Sequence, residues 1–580
     1  MSRRRASFTR SAAWPASTTA PGALRQAPLM MAALVVAALG MGSGGIGPAW
    51  LGLPAASARA QEPRQRDVVA MIVLDSYADV KKQLAWLGTQ IENPTLATML
   101  ESVIMLGTQG KGLAGFDVRR PIGVMVTTDG TDIAAHGMLP VKDLDKLLGS
   151  LQGVTGRVEK SGDRRRISAP GGMDLDVVER DGWAIVGQAG TRAPAGDPLE
   201  TIGPMSGAYS VAIKAFPSRL PEGLRALLQN ALRQLAESAA AEGRPVDANA
   251  LAAAIDGMGQ LESLVIGLGI EDEKNRVFLE NRVVGLTGGE APASGPLTVG
   301  GAATGDGGRA AVRAELAQEL STAEQRRILA VLDGAVPGAD ADQAGRIIGG
   351  VVRAIADAMV SSGALDALLM LDTSAGQRGP ILSAGMRVKD GAALEKQVKT
   401  LLGPGAGLPG EVDVRFDAGK VGDANLHTVA VDLSGTPGAE MLGRPLAFTL
   451  AVAPGYAYLL EGGDAKARLA EMQKGSGRTA TGVPSGMGLQ LALDELLAFA
   501  AERGAGDMAA AAARKAASLL EDDAESSLVQ LALRPIDRGL STRLSVGAGA
   551  LRGLATLAAQ AAEAGVLPPG LPGQGGFPAR

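Results

Sequence analysis

The chain has 580 residues, no cysteine, two histidines and a formal net charge of −5. The absence of cysteine excludes thiolate nucleophiles, iron–sulfur clusters and cysteine-type zinc sites. An acidic balance with 3% aromatic residues is unsuited to a phosphate backbone, which needs a basic footprint and stacking platforms, so nucleic acid is not an expected partner.

Residues 1–60 read as an export signal. Arg3, Arg4, Arg5, Arg10 and Arg25 stand in a stretch without Asp or Glu, the apolar run "LMMAALVVAAL" follows, and Ala58-Arg59-Ala60 gives a small-x-small cleavage pattern. The run is too short for the roughly 20 apolar residues of a spanning helix, so cleavage after Ala60 is expected rather than retention as an anchor. Because residues 1–60 hold six arginines and no acid, their removal takes the net charge to −11. The expected product is a periplasmic or extracellular protein with no further membrane-spanning segment.

The remaining sequence repeats its order of elements, which predicts two tandem α+β halves over residues 61–287 and 309–565. Residues 288–308 form a Gly/Pro/Ala-rich junction, and a Pro/Gly-rich tail, expected to be disordered, covers 566–580. Each half opens with an apolar helix, "TLATMLESVIML" or "RIIGGVVRAIADAMV", and then a strand pair with turn residues midway. "GMLPVKDLDKLLG" (137–149) and "GMRVKDGAALEKQVKTLLG" (385–403) each predict a strand passing into a helix capped by Asp143 or Asp390 and closed by Gly149 or Gly403. Met138 and Met386 read as matching strand positions. Hairpins are predicted at "VVERDGWAIVG" and "LAVAPGYAYLLEG", where Trp183 and Tyr456 follow the turn. Next come "MSGAYSVAIKA" and "PSGMGLQLALD", each leading to a helix; one of these carries the stripe Leu224, Leu227, Leu228, Leu232 and Leu235. A final strand pair ends each half. Short connections imply mainly antiparallel sheet, with amphipathic helices laid on one face.

Gly110, Gly112 and Gly115 match a dinucleotide fingerprint in spacing, but a helix-like run precedes them and Pro121 follows, so a connecting loop is expected. The stretch from Ser545 to Gly565 reads as a strand leading into a terminal packing helix. His136 and His427 occupy non-corresponding strands and lack metalloprotease spacing, so surface or hydrogen-bonded strand positions are expected. Arg164, Arg165 and Arg166 suggest a charged hairpin edge, and "LLEDDAESS" (519–527) a solvated acidic helix end. Trp183, with a turn before it and Tyr456 as its counterpart, reads as a core or sheet-face anchor rather than a ligand platform. No catalytic, cofactor-binding or metal-ligating residue is assigned.

The segments "QGKGLAGFDVRRPIG", "DGWAIV" and "LEKQVKTLLG" resemble large exported proteins of planctomycete-type bacteria. That resemblance implies export and a two-part architecture, and it implies no catalytic residues. The expected role is a non-catalytic binding or structural protein of the cell envelope. Alternatives are a carrier of an amphiphilic or lipid-like ligand in an apolar groove, and a hydrolase assembled from scattered carboxylates.

Overall fold

The computed structural model describes residues between Arg66 and Glu563, interrupted chiefly at 239–256, 286–296, 300–309, 404–411, 432–445 and 476–485. The expected leader 1–60, the tail 566–580, most of the junction, the leucine stripe and the acids at 521–523 lie outside the described residues.

In chain order, β1 (Asp67–Leu74), α1 (Tyr77–Gln90) and α2 (Leu96–Gly107) precede the hairpin β2 (Ile122–Thr128) and β3 (Ile133–Pro140). Next stand α3 (Leu144–Thr155), β4 (Val158–Ser161), β5 (Arg164–Ala169), β6 (Met173–Arg180) and β7 (Trp183–Gln188). After α4 (Pro198–Ser206) come β8 (Val211–Ala215), β9 (Ser263–Glu271) and β10 (Arg276–Val284). The following portion opens with β11 (Val312–Glu319), α5 (Thr322–Ala335), α6 (Gln343–Val360), β12 (Ala364–Asp372) and β13 (Ile381–Arg387). It continues through α7 (Gly391–Leu402), β14 (Val412–Val421), β15 (Ala424–Val431), β16 (Leu446–Ala453), β17 (Tyr456–Glu461) and α8 (Ala465–Gly475). The last elements are β18 (Gly486–Ala492), α9 (Leu493–Arg503), α10 (Asp507–Ser518), β19 (Leu528–Ile536), β20 (Gly539–Gly547) and α11 (Ala548–Glu563).

The architecture is α+β: all twenty strands join one antiparallel sheet. Its order is 4-5-6-7-3-2-1-8-9-10-20-19-18-11-12-13-17-16-15-14. The nine-residue ladder from Arg276–Gly547 to Val284–Gly539 joins the first ten strands to the last ten. The two end strands carry charges: Glu159 and Lys160 on the short β4, and Asp413, Arg415, Asp417 and Lys420 on β14. Such edges resist further strand addition. The arginine triplet lies on β5, one strand inside the edge, where Arg165 bonds Asp145 at 2.9 Å and Arg166 bonds Asp176 at 3.1 Å.

The helices cover both faces rather than one. On β7, Trp183 and Ile185 pack with Ile202 and Met205 of α4, whereas Ala184 and Val186 pack with Leu144, Leu147 and Leu148 of α3. On β16, Ala451 and Ala453 face Leu469 and Met472 of α8, while Leu450 and Val452 face Leu394 and Val398 of α7. A strand covered on both sides needs an unbroken apolar run, which "WAIVG" and "LAVA" supply.

Two further expectations change. α3 does not stop at Gly149 but runs to Thr155, because Leu151 extends its apolar stripe into the same core. Met138 lies two residues before the Pro140–Trp183 ladder pair, but Met386 lies one before Arg387–Tyr456. The two methionines are therefore one position out of step, and one step reverses the face of a strand. Met138 packs against Trp183, and Met386 against the α7 side.

The expected helix caps are present, with Asp143 accepting from the Lys146 N–H and Asp390 from the Ala393 N–H, both at 3.0 Å. The Gly110–Gly115 stretch is a loop after α2, not a strand-to-helix turn. Gly115, at φ 83°, brings its carbonyl to the Lys142 and Asp143 N–H groups, where a Cβ would stand 2.2 Å from the Asp143 oxygen. α11 packs on α1, α10 and β20, and its first amides donate to the Asn275 and Ser526 carbonyls. That internal pairing matches the packing-helix expectation. Among the described residues, no helix is long and apolar enough to cross a membrane.

Candidate functional site

Among the described residues, one cluster has the composition of a metal or acid–base centre: Glu395, Asp417 and His427. Glu395 projects from α7, Asp417 from β14 and His427 from β15. A register irregularity between Arg415 and Gly419 bends β14, and Asp417 adopts φ 53° there. This turns the Asp417 N–H onto His427 Nδ1 at 3.1 Å.

That bond decides the chemistry of the imidazole. If Nδ1 accepts, the ring hydrogen of the neutral form resides on Nε2. Nε2 lies 3.4 Å from Glu395 Oε1 without hydrogen-bonding to it, so it carries a buried N–H rather than a lone pair for a metal. The position between the carboxylates is already held by a cation. Lys399 Nζ lies 2.8 Å from both Glu395 and Asp417, and Asn425 donates to Glu395 at 3.0 Å.

The protonation states agree with carboxylates already paired by Lys399. Burial holds the His427 imidazole below its ordinary range. Burial also works to raise Glu395, but the Lys399 and Asn425 hydrogen bonds outweigh it and leave the carboxyl below its usual value. Asp417 is lowered and Lys399 raised, each first by their mutual hydrogen bond. A general acid or base works best with a pKa near the operating pH, and all four shifts here are directed away from neutrality. Beside the network, the Thr400 hydroxyl donates to its own helix carbonyl at Lys396. We read the cluster as a polar lock fastening β14 to α7.

His136 is equally buried at 1% exposure, on β3 between Met125 and Gly187. Its Nε2 lies 3.4 Å from the Thr191 hydroxyl. Burial first, then the nearby Arg66 charge, lowers its pKa. Both histidines are thus strand positions in the interior, far apart in the sheet order. Glu395 and Lys399 stand at i,i+4 on a helix, a spacing that identifies an ion pair in sequence. Their meeting with His427 depends on a fold-level contact that spacing does not carry.

The two histidines imply a defined acid sensitivity. A group whose folded pKa is depressed below 6.5 binds its proton preferentially in the unfolded chain. The associated stability is complete above that value and declines as pH falls from 6.5 toward the folded-state values. We expect the urea midpoint to fall as pH is lowered below 6.5, and that slope to flatten in His136→Gln/His427→Gln. A pH-independent midpoint across that window would refute the assignment of both rings as buried and neutral.

A second concavity, of about 540 Å³, opens at the α7 end of β13 and is lined by Thr298, Ser362, Arg387, Lys389, Gly455 and Tyr456. Tyr456 donates toward Thr298 Oγ1 at 3.4 Å, and the buried Asp366 carboxylate accepts from the Thr298 hydroxyl and the Thr298 and Val299 N–H groups. At the β6–β7 turn, by contrast, Arg120 lies 4.3 Å over the Trp183 ring and donates to the Asp181 and Gly182 carbonyls. No protein family, curated protein or solved structure matches this chain.

Proposed function

We propose that the chain is an exported, non-catalytic binding or structural protein of the cell envelope, built from two tandem copies of one ten-stranded α+β unit. The duplication is supported by the sheet order, since 4-5-6-7-3-2-1-8-9-10 becomes 14-15-16-17-13-12-11-18-19-20 when each label is raised by ten. Local details agree with it. The Val141 N–H donates to the Gly182 carbonyl and the Val388 N–H to that of Gly455, both at 2.9 Å. Export rests on the arginine-rich leader, its apolar run and the Ala58-Arg59-Ala60 pattern.

The observation that carries the non-catalytic reading is the Lys399-filled cluster, where both carboxylates are paired with Lys399 and the imidazole Nδ1 is occupied by the Asp417 N–H. The carboxylate-hydrolase reading has its best candidate there, and that candidate lacks an acid or base tuned to neutral pH. The amphiphile-carrier reading draws support from α2, whose Met99, Val103, Met105 and Leu106 side chains are exposed. It takes second place because the 540 Å³ concavity is lined largely by polar and charged side chains.

Secreted protein should begin at Gln61 and turn over no member of a panel of glycoside, ester, peptide and phosphoester substrates. Retention of residues 1–60 would count against export. Turnover abolished by Glu395→Gln or His427→Gln would overturn the non-catalytic assignment.

A further inference from the structure

We propose that the groove at Arg387, Lys389 and Tyr456 binds an acidic saccharide, one bearing carboxylate or sulfate groups beside its hydroxyls. This rests on the binding-protein reading and names the ligand class.

The argument starts from the two hairpin turns. Gly182 and Gly455 both precede the first residue of the next strand, and the ladders place Trp183 opposite Pro140 and Tyr456 opposite Arg387. Around Gly182 the space is taken, since a Cβ would stand 2.8 Å from the Arg120 guanidinium. Around Gly455 a Cβ would meet nothing within 4 Å. Arg120 comes from the segment between α2 and β2. After α6 the chain instead turns into β12 within three residues, Ser361 to Gly363, and among the described residues no cation stacks on Tyr456 as Arg120 does on Trp183.

The groove's charge selects the occupant. Arg387 and Lys389 are exposed, two residues apart at the end of β13, and among the described residues neither is held in an ion pair. Of the surrounding carboxylates, Asp357 is paired with Arg353 at 2.9 Å, and Asp366 and Asp390 are turned onto neutral donors of Thr298, Val299 and Ala393 rather than onto Arg387 or Lys389. Two uncommitted cations favour an anion, with the planar guanidinium suited to bidentate contact with a carboxylate or sulfate.

The rest of the lining adds acceptors and a ring. Tyr456 spends its hydrogen on Thr298, so its oxygen offers a lone pair outward. The Gly455 carbonyl accepts only the Val388 N–H, leaving a second lone pair. Donors for an anion beside acceptors for hydroxyls, with a half-buried tyrosine ring between, match an acidic sugar better than a bare ion. The volume of about 540 Å³ lies within the usual range for small-molecule sites.

The test is calorimetric titration of the full mature chain with an oligouronate, a sulfated oligosaccharide and a neutral glucan oligomer. Saturable binding of one or both acidic oligomers is expected, with none for the neutral one; the responding arm identifies carboxylate or sulfate as the anchor. Arg387→Ala/Lys389→Ala should weaken that binding by roughly tenfold or more without moving the thermal midpoint, whereas Arg415→Ala on the exposed edge should leave it unchanged. No saturable heat with either acidic oligomer, equal affinity for the neutral one, or undiminished binding by the double variant would overturn the proposal. Cleavage of a bound oligomer, followed by chromatography, would count against the non-catalytic reading and leave the groove assignment standing.

Discussion

Trp183→Ala is expected to lower the free energy of unfolding by about 3–5 kcal/mol, the range for deleting a large buried aromatic side chain. The indole is 0% exposed and packs among Met71, Met138, Ile185, Ile202 and Met205. These neighbours come from strands β1, β3 and β7 and from α4, so they cannot collapse together into the vacated volume. The substitution also uncovers Arg120, whose guanidinium stacks on the ring and bonds the turn carbonyls. Trp183→Phe keeps an aromatic face for Arg120 and removes an indole N–H that has no acceptor. It should therefore cost well under half as much, about 1–2 kcal/mol. Tyr456→Ala, at a half-buried ring beside an open groove, should cost about 1–2 kcal/mol. Urea denaturation of the three variants checks the order. A Trp183→Ala midpoint equal to that of the parent chain would show that the ring does not anchor the sheet.

Local chemistry made the hairpins legible in sequence. Asp181 and Gly182 take φ 50° and 75°, the conformation an Asp-Gly pair favours between strands, and the turn follows directly from those two residues. The Asp390 cap and the Leu394–Val398 stripe of α7 are likewise local, and both are present. The covered faces were partly legible: "WAIVG" lacks alternation, which marks a strand buried on both sides, but the expectation of helices on one face passed over it. Contacts between distant segments could not be read. Glu395 meets His427 only because α7 packs on β16, the strand next to β15, and Arg276 meets Gly547 only because two hairpins align edge to edge. The mismatched pairing of Met138 with Met386 shows the same limit, since similar residues in similar strings can stand one ladder step apart.

Arg543 at the junction between the first and last ten strands should be the most costly charged residue to remove. Its guanidinium donates to Glu271 at 2.7 Å and lies 3.6 Å over the Phe278 ring, bridging β20 to β9 and β10. Burial works to raise the Glu271 pKa, but hydrogen bonds from Arg276 and Arg543 outweigh it and bring the carboxyl down to about 2 from 4.5. Because the folded value is depressed, the stabilisation is complete above pH 4.5 and is lost as pH falls toward about 2. At about 1.4 kcal/mol per unit the ceiling is near 3.5 kcal/mol, and the 24% exposure of the Glu271 side chain reduces that to about 2 kcal/mol. Arg543→Ala removes part of this together with the ring contact, so a loss of about 2–3 kcal/mol is expected at pH 7. Glu271→Gln should flatten the acid limb between pH 4.5 and 3, and the two changes should be less than additive because they share one bond. Arg543→Lys keeps the charge but not the flat cover over Phe278, and should recover only part of the loss. A double-mutant cycle in urea with a coupling energy near zero would separate Arg543 from Glu271. Coupling of about 1–2 kcal/mol would instead identify this triad as a principal polar fastening across the β10–β20 ladder.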